Sequence, residues 1–210
     1  MTTYPGSPRV LRGALVSVDP VTLRPSVIPF QYNPATLTSS FQVSAATAGA
    51  EAGQRGGPPS ETVQVEIELD ATDDLEAGRG PDTVAARIAA ILGLVSPLAA
   101  DVEKNLGLVA QGAIEILPPD APILLFVFGP RRVLPVQLTE LSVTEEAHDA
   151  ELNPIRARVS LGLSVLRYAD LSQSHPAHAL SLANQVAREA SARSLSSESF
   201  EAAIGTRIVL

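Results

Sequence analysis

The chain contains no cysteine, which excludes disulfides, thiolate metal sites, iron–sulfur clusters and cysteine nucleophiles. It has no tryptophan, five phenylalanines and three tyrosines, so platforms for stacking sugars or bases are not expected. Lys104 is the only lysine among 15 basic residues, and 23 acidic residues give a net charge of -8. The negative net charge therefore provides no long-range attraction to phosphate backbones or anionic lipids. We expect neither nucleic-acid binding nor direct membrane insertion.

Long apolar runs are missing too. No stretch approaches the roughly 18 apolar residues that a membrane-spanning helix needs. The first residues lack a basic start followed by an apolar segment, so we expect no secretory signal and a cytoplasmic protein. With 210 residues, 45% hydrophobic and 18% charged, the chain suits one folded domain plus an appendage better than a disordered linker.

Three short β-type segments open the chain. Residues 9–18 and 24–32 flank an Asp-Pro turn pair and predict a hairpin, in which Pro29 favours an edge position or a bulge. Residues 36–44 predict a third strand. The next stretch, residues 44–61, has no apolar side chain larger than alanine and is rich in glycine and proline. It predicts a long mobile loop that cannot join a packed core.

The clearest strand covers residues 62–70, where aliphatic and polar side chains alternate with a period of two. It predicts one buried face and one acidic, solvated face. A helix should start near Pro81 and stop at Pro97, because its apolar residues recur on one stripe. That stripe consists of Val84, Ile88, Ile91, Leu92 and Val95. Residues 98–109 predict a second, weaker helix.

The remaining elements are two long strands, a short strand and a helix. The continuous apolar run at residues 123–129 predicts a strand buried on both faces. The next strand changes parity near Thr139 and Glu140, which predicts a β-bulge there. Residues 155–167 are longer than an ordinary strand, so we expect them to run past the sheet edge to a second sheet or a neighbouring subunit. The helix predicted at residues 177–194 places on one face Ala179, Leu182, Val186, Ala190 and Arg193.

The acidic residues do not form an evident site. One cluster comprises Asp70, Asp73, Asp74 and Glu76. It lacks the ligand and glycine spacing of an EF-hand, so we interpret it as a solvated turn leading into a helix. Glu145 and Glu146 are adjacent on a strand, and adjacent side chains point to opposite faces. They would not converge on one substrate.

Histidine chemistry is equally limited. His175 and His178 stand at the start of the last helix, where histidine is an ordinary boundary residue, and His148 has no partner in a recognisable motif. The chain contains no nucleophile elbow, P-loop or dinucleotide-binding glycine motif. We therefore expect no enzyme, no catalytic residues, no bound metal and no cofactor.

Charge patterning suggests one specific pairing. Arg156 and Arg158 share a strand face, and Glu66 and Glu68 occupy the polar face of strand 62–70. If the two strands are neighbours, or meet across a subunit boundary, cross-strand ion pairs help to set their register. The alternative is that the two faces are solvated independently.

Three motifs in this order resemble one family: Phe30–Pro34 (FQYNP), a strand ending in Phe128–Gly129, and Asn153–Pro154 leading into the arginine strand. Over residues 9–172 the chain resembles the tube-type proteins of contractile injection systems, the phage-tail-like particles of bacteria. Within these, it is most similar to the tube initiator or baseplate adaptor. Many such proteins carry a C-terminal LysM module, for which residues 173–210 are too short. This departure puts peptidoglycan attachment in doubt.

The resemblance implies an α+β, mainly β fold: a phage tail-tube-like β-sandwich or barrel with a flanking helix, here with a C-terminal helical extension. It implies a tube-like domain at residues 1–172 and an extension at residues 173–210. It further implies a homo-oligomer, a hexameric ring, that joins the spike or hub protein to the inner tube protein and contacts other baseplate proteins. The particle would be assembled in the cytoplasm and could be released.

Within that interpretation, we expect the interface elements to be the loop 44–61, which becomes ordered against a neighbour, and the strands 62–70 and 155–167. The helix 177–194 is expected to dock on an adjacent component. The individual interface candidates are Phe30, Tyr32, Asn33, Glu66, Glu68, Arg156, Arg158, Leu182 and Val186. Two other functions remain open. One is a soluble β-domain that binds peptidoglycan or a peptide by strand addition; the other is an enzyme that depends on a tightly bound metal.

Overall fold

Seven strands and four helices form the described part of the chain. The computed structural model describes residues 11–19, 24–43, 57–78, 80, 83–96, 99–110 and 122–193. The strands are β1 (Ala14–Val18), β2 (Pro25–Pro29), β3 (Leu37–Gln42), β4 (Ser60–Asp70), β5 (Ile123–Val127), β6 (Val133–His148) and β7 (Pro154–Val165). The helices are α1 (Thr72–Glu76), α2 (Thr83–Leu92), α3 (Ala99–Ala110) and α4 (Pro176–Arg193).

The strands make one open sheet in the order β2-β1-β5-β6-β7-β4-β3. Every neighbouring pair is antiparallel. The mainly β class with a few helices is thereby confirmed. Most of the predicted loop, residues 44–56, lies outside the described residues. Its last two residues, Ser60 and Glu61, already belong to β4.

The predicted N-terminal hairpin is confirmed. β1 and β2 pair antiparallel, and β2 is the outermost strand on its side of the sheet. Pro25 and Pro29 bound β2, and a proline has no N–H to donate to a further strand. The pairing continues one residue past β2, where the N–H of Phe30 donates to the carbonyl of Gly13 at 2.8 Å. The edge position predicted from Pro29 is therefore correct.

The core lies between β4 and α2. Along β4, the alternate side chains from Val63 to Leu69 are at most 4% exposed. From α2, Val84, Ile88 and Ile91 enter the same core cluster. Leu92 and Val95, predicted on the same stripe, are instead exposed. Val95 lies beyond the end of α2 and no longer repeats with the helical period, whereas Leu92 is the last residue of the helix and lies at the margin of the buried stripe.

The predicted β-bulge in β6 is confirmed. The register of β6 against β7 shifts directly after Leu138. There the hydroxyl of Thr139 donates to the carbonyl of Gly162 on β7 at 3.0 Å. Because of this shift, Leu138, which precedes the bulge, packs against the same core as Leu141 and Val143, which follow it. One inserted residue thus corrects the parity of the strand.

Gly162 is the residue that lets β7 pass the bulge. A Cβ atom at this position would lie 2.9 Å from the Cβ of Glu140 and 3.4 Å from the hydroxyl of Thr139. We expect Gly162→Ala to lower the free energy of unfolding by about 1 to 3 kcal/mol, because the bulge has to open or β7 has to move. Urea unfolding measures this. Ser160→Ala, on the same face of β7, is the control and should change stability by less than about 0.5 kcal/mol; equal effects of the two substitutions would contradict the argument.

Strand β5 does not have the double burial that its apolar run predicts. Leu124 and Phe126 are 7% and 0% exposed, whereas the side chains on the other face of β5 are only partly buried. Only Leu124 and Phe126 belong to the core cluster. The prediction of a strand buried on both faces is therefore wrong, because the core packs against one face.

The long β7 does not run past the sheet. It pairs with β6 and, over residues 156–164, with β4, so it is an inner strand along nearly its whole length. The expectation that it serves a second sheet is therefore wrong for this chain. The strand that extends past its neighbour is β6, because β5 pairs only with residues 133–136 of β6.

Helix α4 packs through small and polar side chains. Ala177 and Ser181 are buried, and Ser181 and Asn184 donate to backbone carbonyls at the end of β7 and the start of β6, at 2.9 and 2.6 Å. The helical period places Leu182 and Val186 away from these residues. They are 43% and 58% exposed. The predicted apolar face exists, but it faces away from the sheet.

Candidate assembly interface

Titratable side chains do not gather into a reactive centre in the described ranges. These ranges contain no group of three or more histidine, cysteine, aspartate or glutamate residues that could hold a metal ion. His148 forms an ion pair with Glu145 at 2.9 Å. The Nδ1 of His175 accepts the N–H of Ala177 at 3.1 Å and so caps the start of α4. This contact agrees with the boundary interpretation of His175. No described helix has the length and apolar character to cross a bilayer.

The acidic cluster after β4 has structural partners. Oδ1 of Asp70 accepts hydrogen bonds from the N–H and the hydroxyl of Thr72, and Oδ2 faces the guanidinium of Arg156 at 2.9 Å. Asp74 is 4% exposed and forms an ion pair with Arg87 at 3.0 Å. The solvated turn predicted here is therefore wrong for Asp74. Its carboxylate is buried and paired with a guanidinium of α2.

The hydrogen bonds from Thr72, reinforced by Arg156, lower the pKa of Asp70 below its usual value. A carboxyl whose pKa falls on folding stabilises the native state above its unfolded pKa of about 3.9, and this contribution disappears as pH falls through the folded pKa. We therefore expect Asp70→Asn to reduce stability at neutral pH and to flatten its loss below about pH 4. Chemical unfolding at a series of pH values measures both effects. Glu103→Gln on α3 is the control, and its free energy of unfolding should fall below about pH 4 as steeply as that of the wild type.

Within the FQYNP motif, the structure gives the side chains different positions. Phe30 is 1% exposed in the core. The amide of Asn33 accepts the N–H of Gly13 at 2.8 Å and donates to the carbonyl of Leu11 at 2.7 Å. These two predicted interface residues therefore have contacts within their own chain, and a buried ring offers no surface to a neighbour. Tyr32 is 40% exposed and remains available.

Gln31 was not singled out from the sequence, yet it joins three parts of the fold. Its side chain donates to the carbonyl of Asp70 at 2.6 Å and accepts the N–H of Asp70 at 2.9 Å. The guanidinium of Arg87 donates to the same amide oxygen. The end of β2 is thereby tied to the end of β4 and to α2. No sequence signal marks this role, because it depends on strands that are distant in the sheet order.

The predicted cross-strand ion pairs are present within the chain. Arg158 lies opposite Glu68 in the β4–β7 register, but its guanidinium pairs with Glu66 at 3.2 Å and with Glu146 of β6 at 3.1 Å. Arg156 pairs with Asp70, as described above. Both guanidinium groups are about half exposed, so water screens these pairs and each stabilises the fold only weakly. They set register between strands of one chain, and the two faces are not independently solvated.

Among the described residues, the sheet has two open edges and one blocked edge. The β2 edge carries the two prolines. The β3 edge is uncharged, and its Phe41 is half exposed. Residues 137–148 of β6 have β7 on one side and no strand on the other among the described residues. An unpaired strand presents backbone N–H and C=O groups that another chain can bind.

Charge along the β6 edge restricts what can pair with it. Glu140, Glu145 and Glu146 lie along the edge, so two β6 edges placed together would bring like charges close. The uncharged β3 edge has no such conflict. The described residues therefore offer two open strand edges that differ in charge. Comparison with the models of known protein families and with curated proteins finds no match for this chain.

Proposed function

We propose that this chain is a non-enzymatic structural protein of a phage-tail-like contractile injection system, in which it forms a ring that joins the spike to the inner tube in the baseplate. The observation that carries the proposal is the open β6 edge at residues 137–148, together with the open β3 edge. The resemblance in the FQYNP and arginine-strand motifs supplies the particle and the partners.

Pairing of the β6 edge with the β3 edge of the next copy is a head-to-tail contact. Contacts between two different surfaces generate a closed ring when the rotation between copies closes. In a sixfold ring, the open sheets would join into one continuous β-barrel, with the flanking helices outside. The exposed stripe of Leu182 and Val186 on α4 then remains for an adjacent baseplate component.

The mass of the purified protein tests this proposal. Size-exclusion chromatography with light scattering is run on the protein alone and with the spike and inner tube proteins. The proposal expects a hexamer, or a monomer that becomes a ring when those partners are added. A monomer that associates with neither partner would overturn it.

Proline substitutions locate the contact on the β6 edge. In an antiparallel strand, successive N–H groups point to opposite sides, so of Thr144 and Glu145 one faces β7 and the other faces the open edge. Proline at the position that faces β7 should destabilise the fold, whereas proline at the position that faces the open edge should unfold like the wild type. This second variant should lose the ring, because it lacks only an N–H group on the open edge. Alanine at the same position keeps the N–H and should keep the ring. If the ring forms in the stable proline variant as well as in the alanine variant, this part of the β6 edge is excluded from the contact between copies.

A second function is favoured by the same edge. A soluble domain that binds an extended peptide by strand addition would use residues 137–148, and their glutamates suit a basic peptide. Titration of an arginine-rich peptide against the monomer separates the two functions. Saturable binding that the edge proline removes, in a protein that never forms a ring, would favour the peptide-binding module.

A further inference from the structure

The tip of the β6–β7 hairpin presents a leucine in an unfavourable backbone conformation. Leu152 has a φ of 67°, the one positive φ of a residue other than glycine in the described ranges. Its side chain is 79% exposed. Neither feature stabilises the isolated chain, because a left-handed conformation is costly for leucine and an exposed aliphatic side chain gains nothing from burial. Strain of this kind is frequently associated with function.

The tip is held in place by Asp149. Oδ1 of Asp149 accepts the N–H groups of Glu151 and Asn153 at 2.9 and 2.8 Å, and Oδ2 accepts the side-chain amide of Asn153 at 2.9 Å. The N–H of Leu152 donates to the carbonyl of Asp149 at 3.2 Å. The leucine is therefore presented by a hydrogen-bonded turn. Two carboxylates, those of Asp149 and Glu151, accompany it.

A complementary surface is formed by β2 and α2 of the same chain. Between β2 and α2 runs a groove of about 280 Å³. Its apolar lining includes Val27, Ile28, Ala86 and Ala90, and Arg12 adds positive charge, whereas the charge of Arg87 is paired with Asp74. Val27 is 57% exposed, so no described side chain of the same chain covers this part of the groove. Strand addition is blocked here by the prolines of β2, but insertion of a side chain is not.

We propose that Leu152 of one copy inserts into the β2–α2 groove of a second copy, with Glu151 facing Arg12. The occupant is assigned by complementarity: an apolar side chain flanked by carboxylates meets an apolar groove flanked by the guanidinium of Arg12. In the proposed ring each copy offers its tip to one neighbour and its groove to the other, so the contact there runs head to tail. The inference rests on the proposed ring, in which it would be a contact between neighbouring copies.

The absence of cysteine allows a direct test by disulfide trapping. Leu152→Cys and Ala90→Cys proteins are mixed under mild oxidation, with Ser160→Cys replacing Ala90→Cys as the exposed control. We expect a disulfide-linked pair from the 152 and 90 variants, at least about ten times more abundant than from 152 and 160. Trapping of 152 only to itself, or no enrichment over the control, would overturn the contact.

A substitution separates strain from binding. Leu152→Asn suits the left-handed conformation, so we expect the Tm to rise by about 2 to 4 °C while association between copies weakens. If Leu152 has only a structural role, the Tm will rise but association between copies will not weaken, and that result would overturn the proposal. Glu151→Arg should weaken association about fivefold, and Arg12→Glu on the other copy should restore it. If Arg12→Glu does not restore association, Glu151 does not face Arg12 in the contact.

The outcomes distinguish this inference from the proposed function. Rings seen by light scattering without the 152–90 disulfide would leave the ring in place and overturn this contact. The disulfide in a protein that never forms a closed ring, alone or with the spike and inner tube proteins, would support the contact and overturn the ring.

Discussion

Replacing Phe30 by alanine is expected to lower the free energy of unfolding by about 3 to 5 kcal/mol. The ring of Phe30 is 1% exposed, and its centroid lies 6.3 Å from that of Phe126, which stacks on Phe128 at 6.0 Å. Gly13 leaves the space for this ring, since a Cβ at Gly13 would lie 2.7 Å from the Cδ2 atom of Phe30. Truncation therefore opens a cavity that β1 and β2 cannot easily fill.

Urea unfolding of the Phe30→Ala protein measures the loss, with Tyr32→Ala as the matched control. Tyr32 belongs to the same motif but is 40% exposed, so its removal should change stability by less than about 1 kcal/mol. If Phe30 acted mainly in contacts between copies, Phe30→Ala would unfold like the wild type and fail only in assembly. That result would contradict the core position of the ring.

Removing the guanidinium of Arg188 is the second change with a large expected effect. Arg188 on α4 pairs with Glu61, whose side chain is 6% exposed, and lies over the ring of Phe41 at 5.8 Å. Arg188→Ala leaves a buried carboxylate without its counter-charge. We expect a loss of about 3 kcal/mol, at the low end for broken buried pairs because Arg188 itself is 47% exposed.

A double-mutant cycle identifies the cause of this loss. Glu61→Gln removes the charge but keeps the shape, so the Glu61→Gln, Arg188→Ala protein should be more stable than Arg188→Ala alone. Unfolding in urea at neutral pH gives the four free energies. Arg193→Ala, which breaks only an exposed pair with Glu189 at 3.7 Å, should cost less than about 0.5 kcal/mol. Equal stability of the single and double variants would exclude an uncompensated charge as the cause.

The same ion pair explains how α4 is held. The helix buries Ala177 and Ser181 but no large apolar side chain, so its position depends on hydrogen bonds to strand ends and on Arg188. Leu182 and Val186 are left exposed. A helix fixed by polar contacts, with its apolar face outward, suits the proposed contact with a neighbouring component.

Several local features follow from the sequence because neighbouring residues decide them. The alternation of residues 62–70 predicts which face of β4 is buried. The change of parity near Thr139 predicts the bulge, since only an inserted residue keeps Leu138 and Leu141 on one face. A proline without an N–H places β2 at an edge. Each of these rests on backbone geometry or on a period of a few residues.

Other features depended on which strands become neighbours. The sequence could not reveal that Gln31 binds the backbone of Asp70, or that Phe30 is core rather than surface, because both follow from residues remote in the chain. It identified the apolar stripe of α4 but not the side that packs, since Ser181 and Asn184 gain partners only at the strand ends.

By itself, the sequence determined the succession of seven strands and of the helices α2, α3 and α4, and with it the mainly β class, as well as the bulge and the lack of an evident catalytic motif. The tertiary structure decided that β7 is an inner strand, that part of β6 has no second neighbour among the described residues, and that a strained leucine and an apolar groove are exposed. The physical reason is that alternation reports which face of a strand is buried, whereas the neighbours of a strand are set by contacts between residues far apart in the sequence.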